Sequence, residues 1–263
     1  MTQFIVEGYP AYAYTGGKPH EPRAPAIVFV HGAAFDHSVW QWQSRYFAHH
    51  GYTVLAVDLP GHGRSPGPLR DSITAIADWV AALIEAAGLE RAAIVGHSMG
   101  SPVALETAVR HPQRVSRIAV IGAAAPMTVG DAFIAAARDD SPAGLDMEVA
   151  WGHARGVLLA QSPVPGASLH GASRALNARA RPGVLHTDLA ACHAWQPPMD
   201  AIRALKIPTL VVAGKRDQMT PMKAGKALAA EIPGAKLVML GAGHSMMSEA
   251  PRELLHELRN FLR

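Results

Sequence analysis

Short apolar runs alternate with longer stretches of helical periodicity over most of the chain. Strands are predicted where about five mainly apolar residues follow one another, at 26–30, 53–57, 91–95, 115–121, 209–213 and 236–240, and the first three of these are predicted to be buried. An opening segment, 4–15, alternates apolar and polar residues and predicts one or two further strands. Strands that alternate with helices form a parallel sheet with helices on both faces, so the pattern predicts an α/β fold.

The helices between these strands are predicted from apolar spacing and from start and stop residues. Asp71 or Ser72 suits the cap of a helix that ends before Gly88, and His111 and Pro112 stop the helix that follows Gly100. The remaining helices of the strand–helix rhythm are predicted at 40–50, 221–231 and 249–262.

This rhythm is interrupted between residues 126 and 199, where no buried strand is apparent. Helix-like pieces are instead separated by Gly and Pro, at 129–138, 146–160, 173–180 and 184–194. We therefore predict a core formed by residues 1–125 and 200–263, with residues 126–199 inserted as a helical cap or lid.

Composition narrows the class of protein. Hydrophobic residues make up 49% and charged residues 17% of the 263 residues, which suits a large folded core. The net charge of +3 is mild, and no dense Lys/Arg run predicts nucleic-acid binding. No apolar run is long enough for a membrane span and no signal peptide is apparent, so a cytoplasmic protein is expected.

The strand predicted at 91–95 leads directly into the sequence Gly96-His97-Ser98-Met99-Gly100. Because helical spacing resumes after Gly100, the chain turns from strand to helix within a few residues. Such a turn strains its central residue, and the two glycines leave room that a Cβ would fill. Ser98 is thereby held at the carboxyl end of the sheet, where open α/β folds bind ligands. A Gly- and Ser-rich loop is the alternative interpretation.

A serine nucleophile needs a neighbouring base, and position must decide among 14 histidines. His244 follows the last predicted strand and Asp217 follows the strand before it, so both belong to the same sheet edge as Ser98. A carboxylate would fix the tautomer of the base and stabilise its protonated form. The sequence thus predicts Ser98, His244 and Asp217 as nucleophile, base and acid, although each alone also suits an ordinary loop residue.

The oxyanion of an acyl-transfer intermediate needs hydrogen-bond donors that are already in place. The backbone amide of Met99 is one candidate, since it lies at the start of the helix after the nucleophile. The loop His31-Gly32-Ala33-Ala34 supplies the other, with Ala33 as the expected residue. The same loop is also explained as a tight exit from its strand.

Together these motifs resemble the α/β-hydrolase family over nearly the whole chain. The resemblance rests on His31-Gly32, the loop DLPGHGRS at 58–65, the motif at 96–100, the Asp217 loop and Gly243-His244. It implies the α/β-hydrolase fold and the order nucleophile, acid, base along the chain. Serine at the nucleophile position disfavours the family's dehalogenases and epoxide hydrolases, which use aspartate. The cap, which usually sets substrate choice in that family, is the only segment without a counterpart.

The acid is the least constrained of the three assignments. Some family members carry it after the preceding strand, but residues 122–126 contain no carboxylate. Asp131 is expected inside the cap, and Asp188 and Asp200 are expected too far from the sheet edge. Asp217 is therefore preferred.

The substrate pocket is predicted less sharply, from residues next to the triad positions and from large cap residues. The candidates are Ala34, His97, Trp151, Trp195, Met219 and Met246, with Met99, Met247, Phe133 and Leu158 as further possibilities; ordinary core packing is the alternative for each. The cap arginines could meet a substrate carboxylate or remain solvated, namely Arg155, Arg174, Arg179 and Arg181.

The leading hypothesis is a serine hydrolase that cleaves carboxylic esters through an acyl-enzyme intermediate. The same residues would also serve a carbon–carbon bond hydrolase, a lactonase, a thioesterase or a perhydrolase, and the fold alone also permits a non-catalytic ligand-binding receptor. A small-molecule ester or related acyl substrate is the expected partner, and a monomer or homodimer is expected. No metal site and no cofactor are predicted, because the single Cys192, the adjacent His49-His50 and the Gly-rich turns match no such pattern.

Overall fold

The computed structural model describes residues 2–138, 142–158, 162 and 166–263. Its strands are Thr2–Val6 (β1), Tyr9–Tyr14 (β2), Ala26–Val30 (β3), Thr53–Val57 (β4), Ala92–His97 (β5), Val115–Ile121 (β6), Thr209–Gly214 (β7) and Lys236–Leu240 (β8). They form one eight-stranded sheet in the order β1-β2-β4-β3-β5-β6-β7-β8. The pairs β1–β2 and β2–β4 are antiparallel and all other pairs are parallel, which confirms the predicted mostly parallel sheet.

Helices cover both faces of this sheet. The α-helices are Gln41–Ala48 (α1), Ile73–Ala86 (α2), Gly100–Arg110 (α3), Asp131–Arg138 (α4), Pro142–Trp151 (α5), Arg155–Leu158 (α6), Leu169–Asn177 (α7), Val184–Ala194 (α8), Met199–Arg203 (α9), Met222–Glu231 (α10), Met246–Glu249 (α11) and Pro251–Leu262 (α12). Two 3₁₀ helices, His37–Trp40 and Pro112–Arg114, precede α1 and β6.

The hydrophobic core has two layers because successive strand residues point to opposite faces of the sheet. Val28 and Val30 of β3 pack into the layer that contains helices α2, α3 and α10. Ile27 and Phe29 of the same strand pack into the other layer, with α1 and α12. Strand β5, the central element of the sheet, is fully buried between these layers, so its carboxyl end has a rigid support.

Most predicted element boundaries agree with the structure to within a few residues. Ser72 caps α2 by accepting a hydrogen bond from the amide of Ala75, as its position predicted. The prediction of one helix over 146–160 is wrong, since α5 ends at Trp151 and α6 begins at Arg155. Instead of continuing the helix, the amide of Ala154 donates to the buried carboxylate of Glu249 at 3.2 Å; residues 159–160 lie outside the described residues.

The segment between β6 and β7 is helical, and we call residues 126–199 the helical insertion. Helices α4, α5, α6, α7 and α8 belong to it. Phe133 of α4 and Val184, Leu185 and Leu189 of α8 pack against Ala33 and Ala34 of the core, so this segment sits over the loop after β3. Its boundaries as a separate cap domain stay a prediction.

Candidate active site at the carboxyl edge of the sheet

Ser98 occupies a sharp turn between strand β5 and helix α3. Its backbone φ is +51°, in the left-handed region that a non-glycine residue seldom adopts. A Cβ on Gly96 would lie 1.9 Å from the carbonyl oxygen of Gly100, and one on Gly100 would lie 2.4 Å from that of Val30. Only glycine therefore permits this close approach of helix and strands, which presents Ser98 at the sheet edge.

The strained turn is held by the neighbouring strand. The amide of Ser98 donates to the carbonyl of Ile121 at 2.9 Å. The hydroxyl of Ser101 reaches the carbonyls of Gly96 and Ile121, each at 3.0 Å. An unfavourable backbone conformation of this kind costs on the order of 1–3 kcal/mol and persists only where surrounding contacts fix it.

His244 follows β8, and Asp217 follows β7, so adjacent strands bring the two side chains together. His244 Nδ1 and Asp217 Oδ2 are 2.8 Å apart, and both side chains are buried. Asp217 also accepts hydrogen bonds from the amides of Met219 and Thr220 and from the Thr220 hydroxyl, at 2.9, 2.9 and 2.7 Å. The carboxylate is thus fixed by four donors.

This geometry selects one tautomer of His244. The carboxylate of Asp217 accepts the Nδ1 proton, which leaves Nε2 as a proton acceptor in the neutral ring. Nε2 is buried and has no hydrogen-bond partner in the described part of the chain. His244 and Ser98 line the same cavity. His244 therefore has an unpartnered basic nitrogen and shares a cavity with the serine.

Electrostatics favour a protonated His244 more than the buried position alone would. Burial by itself lowers the pKa of His244, but the charge and hydrogen bond of Asp217 outweigh it and raise the pKa above its ordinary value of 6.5. Burial likewise tends to raise the pKa of Asp217, and His244 and the surrounding donors lower it overall. The pair is arranged to stabilise an imidazolium next to a carboxylate.

The predicted oxyanion donors lie on either side of Ser98. Ala33 lines the cavity, and a Cβ on the preceding Gly32 would lie 3.0 Å from the Cβ of Ser98. Met99, directly after the serine, is the N-cap residue of helix α3. Within the described residues, the amides of Ala33 and Met99 donate no hydrogen bond. Two unused donors therefore flank Ser98, as an oxyanion site requires, while that role itself stays a prediction.

A carboxylate of the helical insertion fixes the loop that carries Ala33. Asp188 Oδ2 accepts hydrogen bonds from the amide of Ala34 and from His62 Nε2, both at 2.8 Å. Burial tends to lower the pKa of His62, but Asp188 raises it overall, so the two form a buried ion pair. The expectation that Asp188 lies too far from the sheet edge is therefore wrong, although Asp188 does not bond to His244.

The loop that carries His244 is also tied to the helical insertion. The amide of Ser245 donates to the carbonyl of Gly152 at 2.9 Å. Glu249 Oε2 accepts from the amides of Gly243 and Ala154, at 2.9 and 3.2 Å, and so joins the two segments. Both loops that surround Ser98 thus depend on contacts with residues between β6 and β7.

The cavity above Ser98 has a volume of about 190 Å³. Ala33, Ser98 and His244 form its floor, and Gln218, Met219 and Thr220 of the loop after β7 contribute one side. Residues of the helical insertion form the remaining wall, namely Met127, Thr128, Val129, Gly130, Phe133, Glu148, Trp151, Leu189 and Cys192. Among the described residues, this wall is mainly apolar and contains one carboxyl group, that of Glu148.

Two of the six predicted pocket residues, Trp151 and Met219, line this cavity, together with the further candidate Phe133. Ala34 faces a neighbouring cavity instead. The side chain of Leu158 lies outside the described part of the chain.

The other three pocket predictions are wrong because each side chain is engaged elsewhere. His97 lies behind the site, where its Nε2 bonds to the carbonyl of His244 at 3.0 Å. Trp195 is buried in the core and donates its indole N–H to Glu106 at 3.2 Å. Met246 packs into the other core layer, on the face of the sheet opposite to Trp195. Met99 and Met247 are core residues too.

Sequence analysis missed Glu148, Cys192 and the loop residues Gln218 and Thr220. Glu148 precedes Trp151 by three residues, which places both on one face of α5. That spacing was the available signal. Burial raises the pKa of the Cys192 thiol well above its ordinary range, so Cys192 is present as a neutral thiol and not as a nucleophile.

One group of side chains in the described residues has the spacing of metal ligands, Asp36, His37 and Asp58. Their polar atoms are already used within the loops. Asp36 Oδ1 accepts from the amide and hydroxyl of Ser38, and Asp58 accepts from the amide and ring of His37 and from the amide of Arg64. The group therefore stabilises the loops after β3 and β4.

The mostly parallel sheet and the sharp strand–turn–helix at Ser98 define the class of protein. A family model described as the alpha/beta hydrolase family matches residues 27–257. The chain belongs to the alpha/beta hydrolase family, and it is an enzyme. Among the described residues, no helix combines the length and apolar character that a membrane span requires.

The similar proteins carry several hydrolase names. The chain is 30% identical to a 2-hydroxymuconate semialdehyde hydrolase of Pseudomonas putida, over 97% of this chain and 88% of that protein. It superposes on an enol-lactonase from Burkholderia xenovorans with a TM-score of 0.88 and 24% identity, over 99% of each chain. An esterase from Exiguobacterium antarcticum gives a TM-score of 0.85 and 23% identity, over 99% of this chain and 98% of that one.

A longer curated relative is matched only in part. Identity there is 40% over 122 residues, and the match spans 30% of that protein's length. The two structural matches, both below 25% identity, establish the fold alone.

Proposed function

We propose that the protein hydrolyses small carboxylic esters through an acyl-enzyme intermediate on Ser98. One observation carries the proposal: Asp217 holds His244 Nδ1 at 2.8 Å, while the free Nε2 belongs to a residue that shares the cavity of Ser98. A buried imidazole with this tautomer is suited to remove the proton of a neighbouring hydroxyl.

The reaction then proceeds in two halves. His244 Nε2 takes the proton from the Ser98 hydroxyl as Oγ attacks the ester carbonyl, and the negative charge on the carbonyl oxygen is met by the amides of Ala33 and Met99. The intermediate collapses, the C–O bond to the alcohol breaks, and His244 returns the proton to the leaving alkoxide. Water, deprotonated by His244, attacks the acyl group; the bond to Ser98 Oγ then breaks, His244 returns the proton to Oγ, and the acid is released. Asp217 stabilises the imidazolium in both halves.

The size of the cavity limits the substrate. The cavity volume of about 190 Å³ lies below the roughly 300–1,000 Å³ of ordinary ligand pockets. Short acyl groups fit this space. The mainly apolar wall favours acyl groups that are at least partly hydrocarbon.

Other acyl-transfer reactions use the same groups, and the leaving group distinguishes them. Lactones, thioesters and vinylogous diketones all present a carbonyl carbon to Ser98, and peroxide can replace water in the second half of the reaction. A panel of these substrates, with turnover ranked against esters, separates them. A ligand receptor with an inactive serine would not react with a fluorophosphonate probe, whereas the proposed enzyme is labelled at Ser98.

The direct test uses p-nitrophenyl butyrate and the variant Ser98→Ala. We expect wild-type protein to release p-nitrophenol and the variant to lose roughly 10⁶-fold in kcat, as when a serine nucleophile is removed from a comparable triad. Ser116→Ala is the matched control, because Ser116 lies near the amino end of β6, at the opposite edge of the sheet. Activity that survives in Ser98→Ala would refute the proposal.

A further inference from the structure

Glu148 is a buried carboxyl group in the wall of the cavity. It lies on helix α5, is 5% exposed and shares the cavity with Ser98 and His244. Its Oε2 atom has no hydrogen-bond partner in the described part of the chain. Buried polar atoms are nearly always paired, because an unpaired one retains most of its desolvation cost. A group with no structural partner at the wall of a binding cavity is therefore suited to pair with a ligand.

The charges around Glu148 make this position selective. Neither Lys nor Arg occurs among the described residues that line the cavity. Two arginines of the helical insertion are paired outside it, Arg174 with Asp146 and Arg179 with Asp36. Among the described residues that line the cavity, only His244 can carry a positive charge, so a substrate carboxylate placed near Glu148 would meet an acid with no Lys or Arg to compensate for it.

Three other titratable groups face Glu148, from two elements. His244 comes from the loop after β8, and Asp188 and Cys192 come from helix α8. Burial raises the pKa of Glu148 to about 7, with Asp188 adding to the rise and His244 opposing it. Below that pH the side chain is a neutral acid that donates a hydrogen bond, and above it the side chain is an anion.

We propose that Glu148 is a specificity-determining residue, which selects acyl groups that carry an uncharged hydrogen-bonding oxygen toward helix α5 and rejects acyl groups that carry a carboxylate there. The inference rests on the proposed ester hydrolysis for its kinetic test. It names the class of substrate that the apolar wall and this acid would recognise, namely short, neutral acyl groups with an oxygen in the chain beyond the α carbon.

The kinetic test compares three p-nitrophenyl esters. Butyrate is the reference, methoxyacetate replaces one methylene by oxygen, and the succinate monoester ends in a carboxylate. Ratios of kcat/KM to the butyrate value are taken within each enzyme, so that overall losses of activity cancel. The variants are Glu148→Gln, which stays polar but uncharged, and Glu148→Met, which removes the hydrogen bond. Glu90→Gln, an exposed position before β5, is the matched control.

The expected results differ in direction between the two variants. Glu148→Gln should raise the succinate-to-butyrate ratio at least tenfold at pH 8 and clearly less at pH 6, where wild-type Glu148 is already mostly neutral. Glu148→Met should lower the methoxyacetate-to-butyrate ratio at least threefold. A purely structural role would slow all three esters alike and leave both ratios unchanged at either pH. That result would overturn the inference.

A binding measurement separates failure of this inference from failure of the proposed function. Butyrate and butyramide have the same shape and differ in charge, and tryptophan fluorescence can report their binding because Trp151 lines the cavity. From pH 6 to pH 8 the affinity for butyrate relative to butyramide should fall more steeply in wild type than in Glu148→Gln, which retains His244. Equal slopes would overturn the inference, whether or not any ester is cleaved.

Discussion

The carboxyl edge of the sheet and the helical insertion above it are built in different ways. At the edge, Ser98 and Asp217 follow the buried strands β5 and β7, and His244 follows the partly exposed outer strand β8; short hydrogen bonds hold all three residues. Across the cavity, Phe133, Trp151 and Leu189 provide apolar surface from separate helices. The sheet edge thus holds particular side chains in fixed positions, whereas the helical insertion determines the shape of the cavity.

This difference assigns different parts of the enzyme's work to the two regions. Proton transfer and charge stabilisation need positions correct to a fraction of an ångström, and a rigid sheet supplies them. Substrate choice needs a wall of suitable size and polarity, which helices can vary without disturbing the edge. Substitutions at the edge should therefore change the rate for every substrate, and substitutions in the wall should change the ranking of substrates.

After Ser98→Ala, the largest expected effect is that of Asp217→Asn at the sheet edge. The variant no longer holds His244 in the correct tautomer, and kcat should fall about 10⁴-fold, a change of about 5 kcal/mol in the activation barrier. Steady-state kinetics with p-nitrophenyl butyrate and a thermal unfolding curve would measure the rate and show that the variant is folded. Asp131→Asn and Asp200→Asn are exposed controls and should lose less than about tenfold. Near-normal turnover in Asp217→Asn, with a large loss in either control, would assign the role of the acid to that control residue instead.

The next prediction compares two tryptophans that sequence analysis placed in the same pocket. Trp195→Ala should lower the free energy of unfolding by about 3–5 kcal/mol, because it removes a buried ring and takes away the indole donor of Glu106 Oε2; the ranking of acyl chains should not change. Trp151 is 40% exposed and meets Phe133 edge to face. Trp151→Ala should cost less stability and should raise the hexanoate-to-butyrate ratio of kcat/KM by about threefold. Chemical denaturation and an acyl-chain series measure both, and a reversed pattern would exchange the two assignments.

The smallest expected effect is a shift in the pH profile of kcat/KM, caused by the charge of Glu148 in the wall acting on His244 at the sheet edge. Because neutral His244 is the base, kcat/KM should rise with pH through an apparent pKa above 6.5. The Glu148 carboxylate contributes to that rise in the pKa of His244. Glu148→Gln should therefore move the acidic limb of the profile to lower pH, whereas Glu90→Gln should leave it in place. A shift to higher pH would contradict this electrostatic account.

The sheet-edge residues could be predicted because strand order and strand ends are visible in the apolar pattern. Strands β5, β7 and β8 are short apolar runs, and the residues that follow them share one edge whatever the detailed packing. Alternation along a strand also explains why one neighbour was misassigned. His97 adjoins Ser98, but it precedes the turn and points away from the cavity.

The wall could not be predicted in the same way, because its contacts depend on how separate helices dock. Nothing in the periodicity of 184–194 shows that Asp188 reaches the amide of Ala34, and nothing around Ala154 shows that its amide donates to Glu249. Trp195 was placed in the pocket for its size, whereas its indole N–H pairs with Glu106 in the core. Sequence analysis thus located the residues that meet at the sheet edge, but not the contacts of the wall.

The hydrogen bond from the amide of Ala34 to Asp188 has a consequence for modular exchange. A helical insertion taken from a relative would bring a new wall, but it would also have to bring an acid at the position of Asp188. Without that acid, His62 would lose its counter-ion and the loop of Ala33 would lose its anchor. The helical insertion therefore cannot be exchanged on its own. A chimaera of this enzyme needs a carboxylate in the insertion that pairs with the imidazole of His62 in the core.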